Sequence, residues 1–553
     1  HRLPTSAGTA VLASSWAERC DHRVDDVERW LLTAEERGNP STPLPAYTEG
    51  NLVEPLVHGV TYFDRLVECI ERLDAGDHLF FTDWRGDPDE QLRPGGPTVA
   101  QLFTDAVRRG VCVRGLVWRS HVDWMSFSAH ENRALDDEVE HGGGEVILDQ
   151  RVRRGGSHHQ KLVVLRHDQD PTQDVAFVGG IDLCHSRRDD AEHRGDPQSL
   201  AMSAAYGERP PWHDVQLMLR GPTVGVLDTV FRERWDDPTN ADSGNPIARV
   251  LDRLRGARLD PDPLPPQLPP PPPCGPHVVQ NLRTYPAIRP PYDFAPRGER
   301  SVARGYSKAI RQARRLVYLE DQYMWSEDVA RLFARALAEN PELHLVVVVP
   351  RVPDQDGAVA ERSQYVGRWQ ALEMCQRAGR GRVHVFDVEN HEGTPVYVHA
   401  KVCVVDDVWA SVGSDNFNRR SWTHDSELSS AVLDTTRDPR EPRDPAGTGD
   451  GARTFARDLR LELAREHLDR AADGSEDDDL LDPGAFVRTL ETSAAELDAW
   501  HAGGRRGPRP RGRLREHHPR RLSLPTRLWA TPVYRLVDDP DGRPLSMRLR
   551  KAF

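Results

Sequence analysis

The sequence predicts an α/β fold of two pseudo-symmetric halves. Each half is a mixed, largely parallel sheet flanked by helices, and a proline-rich linker joins them. Two observations carry this. Apolar strand-like runs alternate with amphipathic stretches, the order that builds a parallel sheet. The succession of helix, strand, helix, strand and a His-x-Lys segment then recurs after "PDPLPPQLPPPPPCGP", residues 261–276, which marks an internal duplication. The chain has 553 residues, too many for one ordinary core. The expected units are a polar, partly helical extension (1–49), a first half (50–258), the linker (259–276), a second half (277–470) and a charged, basic C-terminal extension (471–553).

In chain order, a helix is expected around "VDDVERWLLTAEERG". From residue 50 to 73 the apolar spacing reads as helical, on Val60, Phe63, Leu66, Val67, Ile70 and Leu73. "DHLFFTDW" reads as a buried strand, "TVAQLFTDAVRRG" as a helix and "VCVRGLVW" as the next strand. The proline run cannot join a helix or a central strand and is expected to be extended. After it come a helix at "RGYSKAIRQARR", the strand "LVYLEDQYMW", a helix at "DVARLFARALAEN" and the strand "LHLVVVVP". The tail holds one convincing helix, "TFARDLRLELAREHL", and the arginine-rich "RRGPRPRGRLREHHPRR" at 505–521. A solvated surface is the plain reading of that segment. Docking on anionic lipid, or on an acidic face of the same protein, is the sharper one.

Composition narrows the function classes. A formal net charge of −14 argues against a protein living on nucleic-acid backbones. Seven cysteines, with no CxxC pair, argue against a disulfide framework or a zinc ribbon. No apolar run reaches the ~18–20 residues that span a bilayer, and no signal peptide is read. A cytoplasmic or peripheral-membrane location is expected, with secretion left open.

The chemistry lies in two stretches. "SHHQKLVVLRHDQD" holds His159 and Lys161; "VHAKVCVVDDVWASVGSDN" holds His399 and Lys401. In a strand, residues two apart share a face, so each His shares a face with its Lys. A Lys beside a His at the head of an apolar strand is expensive unless an anion sits there. A metal would compete with the Lys, whereas a phosphate suits it, with the His as nucleophile or proton carrier. A second strand follows each motif, ending in Gly179 and Gly180 or in Gly413 and Ser414, with Asp182 and Asn416 at matching positions.

These segments resemble the phospholipase D superfamily. His399, Lys401, Asp406, Gly413, Ser414 and Asn416 match its H-x-K-x-x-x-x-D and G-S-x-N motifs, and "HHQKLVVL" with "FVGGIDL" looks like the first motif of eukaryotic-type members. "PWHDVQLMLRGP", "VQNLRTYP", "LEDQYMW" and "HDSE" echo it further, and the resemblance covers roughly residues 50–470. It implies one active site between the halves. His159 would attack phosphorus and form a phosphohistidine. His399 would protonate the leaving alcohol and then activate water or a second alcohol. Lys161, Lys401 and Asn416 would hold the phosphoryl oxygens, with Ser414 assisting. Asp214 would orient His159, and Glu427 would orient His399. Which His is the nucleophile is inherited from the family; the residues do not decide it.

Gly180, Asp182, Trp84, Tyr323 and Trp325 are candidate substrate-binding residues, with Trp118 and Trp124 nearby. Gly179, Gly413 and Asp406 are structural, and no metal or cofactor is expected. The implied activity is phospholipase D-type hydrolysis of glycerophospholipids, or exchange of their headgroup alcohol. The alternatives are a nuclease of the same superfamily, a phosphatidyltransferase of lipid synthesis, and a non-catalytic lipid-binding protein. The expected partners are phospholipid at a membrane surface and a water or alcohol acceptor. No nucleic acid is expected, and the chain is expected to be a monomer.

One departure needs an answer. The second motif places Asp406 five residues past its Lys, where the first places Arg166. Lys401 precedes Gly413 by 12 positions but Lys161 precedes Gly179 by 18. The first hairpin is therefore longer and turns differently. Asp168, Asp170 or Asp174 is expected to satisfy local backbone groups there, and Asp406 to tie down its own tight turn.

Overall fold

The computed structural model describes residues 26–119, 129–238, 261–354, 360–520, 522–550 and 553. Trp124, the first residues of the N-terminal extension, the end of the first half and the first two linker residues lie outside the described residues.

The first half contributes β1 (Thr48–Val57), α1 (Gly59–Ile70), β2 (His78–Asp83), α2 (Val99–Arg108), β3 (Cys112–Trp118), α3 (Ala129–His141), β4 (Glu145–Asp149), β5 (Leu162–Arg166), β6 (Val175–Gly179), β7 (Trp212–His213), β8 (Val215–Arg220) and α4 (Thr223–Trp235). The second contributes β9 (His277–Tyr285), β10 (Glu299–Arg300), α5 (Ser301–Gln312), β11 (Leu316–Asp321), α6 (Glu327–Glu339), β12 (His344–Val348), α7 (Ala360–Gly379), β13 (Val383–Val388), β14 (Tyr397–Val398), β15 (Lys401–Val405), β16 (Trp409–Gly413), α8 (Arg419–Thr423), β17 (Glu427–Asp434) and α9 (Thr454–His467). Then follow α10 (Pro483–Ala502), β18 (Leu514–Glu516), α11 (Leu524–Val533) and α12 (Leu545–Arg550).

The strand order of the first half, β4-β3-β2-β5-β6-β8-β1, repeats in the second as β13-β12-β11-β15-β16-β17-β9. β1 and β9 pair antiparallel, so both halves share one continuous sheet. The α/β class and the repeat agree with the sequence reading; the expected parallel character does not. Among the described residues of this sheet only β2-β3-β4 and β11-β12-β13 run parallel; β7 and β14 form a separate parallel pair that joins the halves. The motif strands that follow return as hairpins and are antiparallel. β1 was also missed, because residues 50–57 lie inside the stretch read as helical. Val53 and the residues around it alternate buried and exposed, the period of a half-covered strand.

One apolar cluster joins Val164, Val178 and Leu217 of the first half to Val404, Val412 and Leu428 of the second. Two outer clusters lie under α1 and α2 and under α5, α6 and α7. The proline linker runs extended along the first half, where Arg232 donates to Pro265 O and Arg166 to Pro269 O. The tail is folded into the protein: α10 buries Phe486, Leu490 and Leu497, and β18 adds an edge strand to β13. Its arginines dock on acidic groups of the same chain, Arg511 on Glu476, Arg513 on Asp469 and Arg515 on Asp498. The described cysteines are free thiols, Cys184, Cys375 and Cys403 among them buried.

Candidate active site

Both His-x-Lys segments lie where their hairpin strands begin. His159 N–H donates to Ser426 O, just before β17, and His399 N–H donates to the carbonyl of His213 in β7. Each half thus lays its histidine against the backbone of the other. Lys401 acts electrostatically on His159, and Lys161 on His399. The two motifs form one site. In each, the Lys Nζ folds back onto its own His carbonyl.

The carboxylates are exchanged relative to expectation. His159 Nδ1 lies 2.9 Å from Glu427 Oε2, and His399 Nδ1 lies 2.6 Å from Asp214 Oδ2. The cause is the strand order: β17 and β8 are brought to the opposite half's histidine by the two cross-half backbone contacts. Ser414 is also reassigned. Its Oγ accepts from Leu428 N–H and donates to Glu427 Oε2 at 2.6 Å. It positions Glu427 and is not directed at the phosphoryl group. Asn416 is buried with Oδ1 unpartnered, consistent with a place at the site.

Asp182 departs from a substrate-binding role. It forms an ion pair with Lys161 at 3.1 Å and meets Arg187 at 3.5 Å. Burial opposes its charge, but Lys161 holds its carboxyl far below the usual range. Burial and the neighbouring Asp182 push Asp83 far up, so the proton of this pair rests on Asp83. Gly179 and Gly180 are small for a physical reason. A Cβ at Gly180 would fall 2.1 Å from Asp214 Oδ1, and one at Gly179 would fall 2.4 Å from Gln216 Oε1. At Gly413 the intruder would be Ser429.

The aromatic candidates divide. Trp84 is half-buried, stacks on Trp118 and stands edge-on to His159 at 6.3 Å between centroids. Trp325 is buried against Tyr534 of the C-terminal segment. It is a packing residue, and Tyr323 stacks on it. Asp406 does not serve its own turn. It accepts from the backbone N–H of Arg314, Arg315 and Leu316, fixing the start of β11.

Sequence reading missed three residues. Asp83 and Asp321 end equivalent strands and accept from Leu183 N–H and Phe417 N–H, pinning the loops beyond the two glycine motifs. Their signal was present as "TDW" and "LEDQ" at matching strand ends. Arg187, in "HSRRDD", lies over the Trp212 ring at 3.9 Å and adds a third cation near His399.

Burial and the two lysines hold His159 far below the ordinary imidazole range; burial, Lys401 and Arg187 do the same for His399. Both rings are neutral at pH 7. Burial pushes Lys401 down to about 8. Burial, with Asp425 adding and Ser414 opposing, pushes Glu427 up to about 8. A neutral, bare imidazole nitrogen beside two desolvated ammonium groups suits attack on a diester phosphorus.

The family model described as "Phospholipase D" matches residues 98–253, and the one described as "Cardiolipin synthase, PLD-like domain" matches residues 306–437. "Phospholipase D alpha 1" of Cynara cardunculus is 25% identical, over 73% of this chain and 63% of that protein. The protein of that name from Arabidopsis thaliana is also 25% identical, over 61% of this chain and 55% of its own length. The chain therefore spans somewhat over half the length of these curated relatives. A solved structure, the phosphatidylserine synthase of Haemophilus influenzae Rd KW20, aligns with 72% of this chain and 86% of its own at 14% identity and a TM-score of 0.48.

Proposed function

This chain belongs to the phospholipase D superfamily, and from that premise we propose that it cleaves glycerophospholipids as a phospholipase D-type phosphodiesterase, transferring the phosphatidyl group to water or an alcohol. The observation that carries the reading is the crossed pair of His–carboxylate contacts in one doubly cationic site. The two Nδ1 environments also differ in a way that separates the roles. At Glu427, Oε2 already accepts the Ser414 hydroxyl proton, so it accepts from His159 Nδ1–H and leaves Nε2 bare. At His399, the Lys401 ammonium lies 3.0 Å from Nδ1. An ammonium only donates, so Nδ1 accepts and Nε2 keeps the proton. Burial raises the Asp214 carboxyl above its ordinary value, and its Oδ2 stands 2.6 Å from the same nitrogen.

In this mechanism His159 Nε2 attacks phosphorus and the bond from phosphorus to the leaving oxygen breaks. His399 Nε2–H protonates that oxygen while Nδ1 takes up the proton it shares with Lys401 and Asp214. In the second step water or an alcohol attacks phosphorus, His399 Nε2 takes its proton, and the P–N bond breaks. Lys161, Lys401 and Asn416 hold the non-bridging oxygens.

Lipid is favoured over nucleic acid by the net charge of −14 and by the C-terminal segment. There Leu528, Leu536, Leu545 and Leu549 are each at least 70% exposed, interleaved with Arg527, Arg535 and Arg548. Apolar side chains among arginines suit an anionic bilayer surface. Arg420 links this segment to the rim of the site, donating to Val537 O and Gly155 O. Among the described residues no helix is long and apolar enough to cross a membrane. Phosphatidylcholine vesicles with a primary alcohol should yield phosphatidyl-alcohol. Release of nucleotides from DNA with no lipid turnover would overturn the reading.

A further inference from the structure

We propose that His58, His193, His213 and Glu466 form a structural divalent-metal site, best matched to zinc, that clamps the two halves together behind the Asp214–His399 pair. Their ligand atoms all lie within 4.8 Å of one another. Glu466 Oε2 is 2.6 Å from His58 Nε2, and Oε1 is 3.0 Å from His193 Nε2 and 3.2 Å from His213 Nδ1. The three rings face one another edge to face, with centroids 5.0, 5.1 and 5.8 Å apart. Tetrahedral zinc with Zn–N bonds of about 2.0–2.1 Å places imidazole centroids about 5 Å apart.

Two further observations point to a ligand. His213 Nδ1 is fully buried and, although close to Oε1, makes no hydrogen bond. Its other nitrogen, Nε2, meets Glu320 at 2.6 Å, and Glu320 also meets His467 Nε2 at 2.7 Å. A carboxylate on the far nitrogen is the usual outer support of a metal-bound imidazole, and it fixes the tautomer that frees Nδ1. Asp189 stands 3.8 Å from His193 Nδ1 in a similar position. His58 is held at a φ of 69°, an uncommon conformation for a residue other than glycine, with its N–H on Asp214 O.

The four donors come from the start of α1, the loop after β6, β7 and α9, so they join both halves. Three histidines and a carboxylate suit zinc over calcium or magnesium, which prefer oxygen. The set is complete at four donors, and the contacts of Lys161 and Lys401 go to other groups, so its role is positioning.

The test is metal content and cobalt uptake by the full chain. The purified protein should carry about one zinc per chain. After chelation it should take up Co²⁺ with the strong visible bands of four-coordinate cobalt, and Zn²⁺ should raise its melting temperature. His193→Ala should abolish stoichiometric binding. Glu320→Gln, a near-isosteric change more apt to fold, should weaken Co²⁺ binding about 10–100-fold. Metal-free purification with neither cobalt bands nor a zinc-dependent melting shift would show a proton-linked hydrogen-bond cluster and overturn the proposal. So would unchanged metal affinity in a folded Glu320→Gln.

Discussion

Ser414→Ala separates a serine that positions Glu427 from one that touches phosphate. Its hydroxyl donates to Glu427 Oε2 at 2.6 Å, and that oxygen faces His159 Nδ1 at 2.9 Å. Burial has already pushed Glu427 up to about 8, with Ser414 opposing. A hydrogen bond to a charged acceptor is worth ~1.5–3 kcal/mol. At 1.36 kcal/mol per pKa unit, losing it should raise the carboxyl by about one to two units. Glu427 must be ionised to keep the proton on Nδ1, so the rate rises with pH through this titration. The ascending limb of kcat should lie near pH 8 in the parent and about one to two units higher in the variant. At pH 8 the variant should be ~5–50-fold slower, and the deficit should close at higher pH. The assay is kcat at saturating short-chain phospholipid, because a bound phosphodiester keeps Lys401 charged. A pH-independent deficit, or a rise in KM with kcat unchanged, would refute the reasoning and return the hydroxyl to the phosphoryl group.

Three further outcomes are expected. His159→Ala and His399→Ala should each lower kcat by about 10³-fold or more, and a variant keeping most of its rate would break the paired-histidine assignment. Asp214→Asn should lose far less on a nitrophenyl diester, whose leaving group needs no proton, than on a natural phospholipid; Glu427→Gln should lose about 10–100-fold on both. The reverse pattern would exchange the roles of the two histidines. Gly180→Ala would place its Cβ 2.1 Å from Asp214 Oδ1; activity should fall at least ~10²-fold while the melting temperature moves little, and unchanged kcat would show that Asp214 can shift freely.

Much of the site was legible because its chemistry is local in sequence. A His, a spacer and a Lys ahead of an apolar run announce themselves, and the duplication doubled the signal. What was not legible depends on long-range pairing. Glu427 is 268 residues from His159, and Asp214 is 185 from His399. No spacing rule says which carboxylate crosses to which histidine; the β1–β9 seam and the two cross-half backbone contacts decide it. The parallel character of the sheet was overread for a related reason. Buried hairpin strands are apolar on both faces, so β5 and β15 look like parallel strands until their partners are known. Trp325 was misread because strand-end aromatics can be covered from outside by a segment some two hundred residues away.

Long-range pairing also lets the first motif do without an aspartate at its turn. In the second half, Asp406 leaves the hairpin tip to grip the backbone that starts β11. In the first half the grip is reversed: Asp77, just before β2, accepts from Asp168 N–H in the hairpin. The longer turn also caps itself, with Asp174 accepting from His167 N–H. Arg166 is fully buried between Asp174 at 2.7 Å and Asp228 at 2.6 Å, and it reaches the linker at Pro269 O. It stands at the far end of β5 from His159. Arg166→Ala should therefore cost about 3–5 kcal/mol of stability, by leaving the buried Asp174 carboxylate without its cation while Asp228 keeps Arg232, and leave kcat of the folded protein unchanged. Urea unfolding paired with active-site-normalised kinetics separates the two effects. A loss of kcat at full stability would mean that Arg166 serves the phosphate site after all.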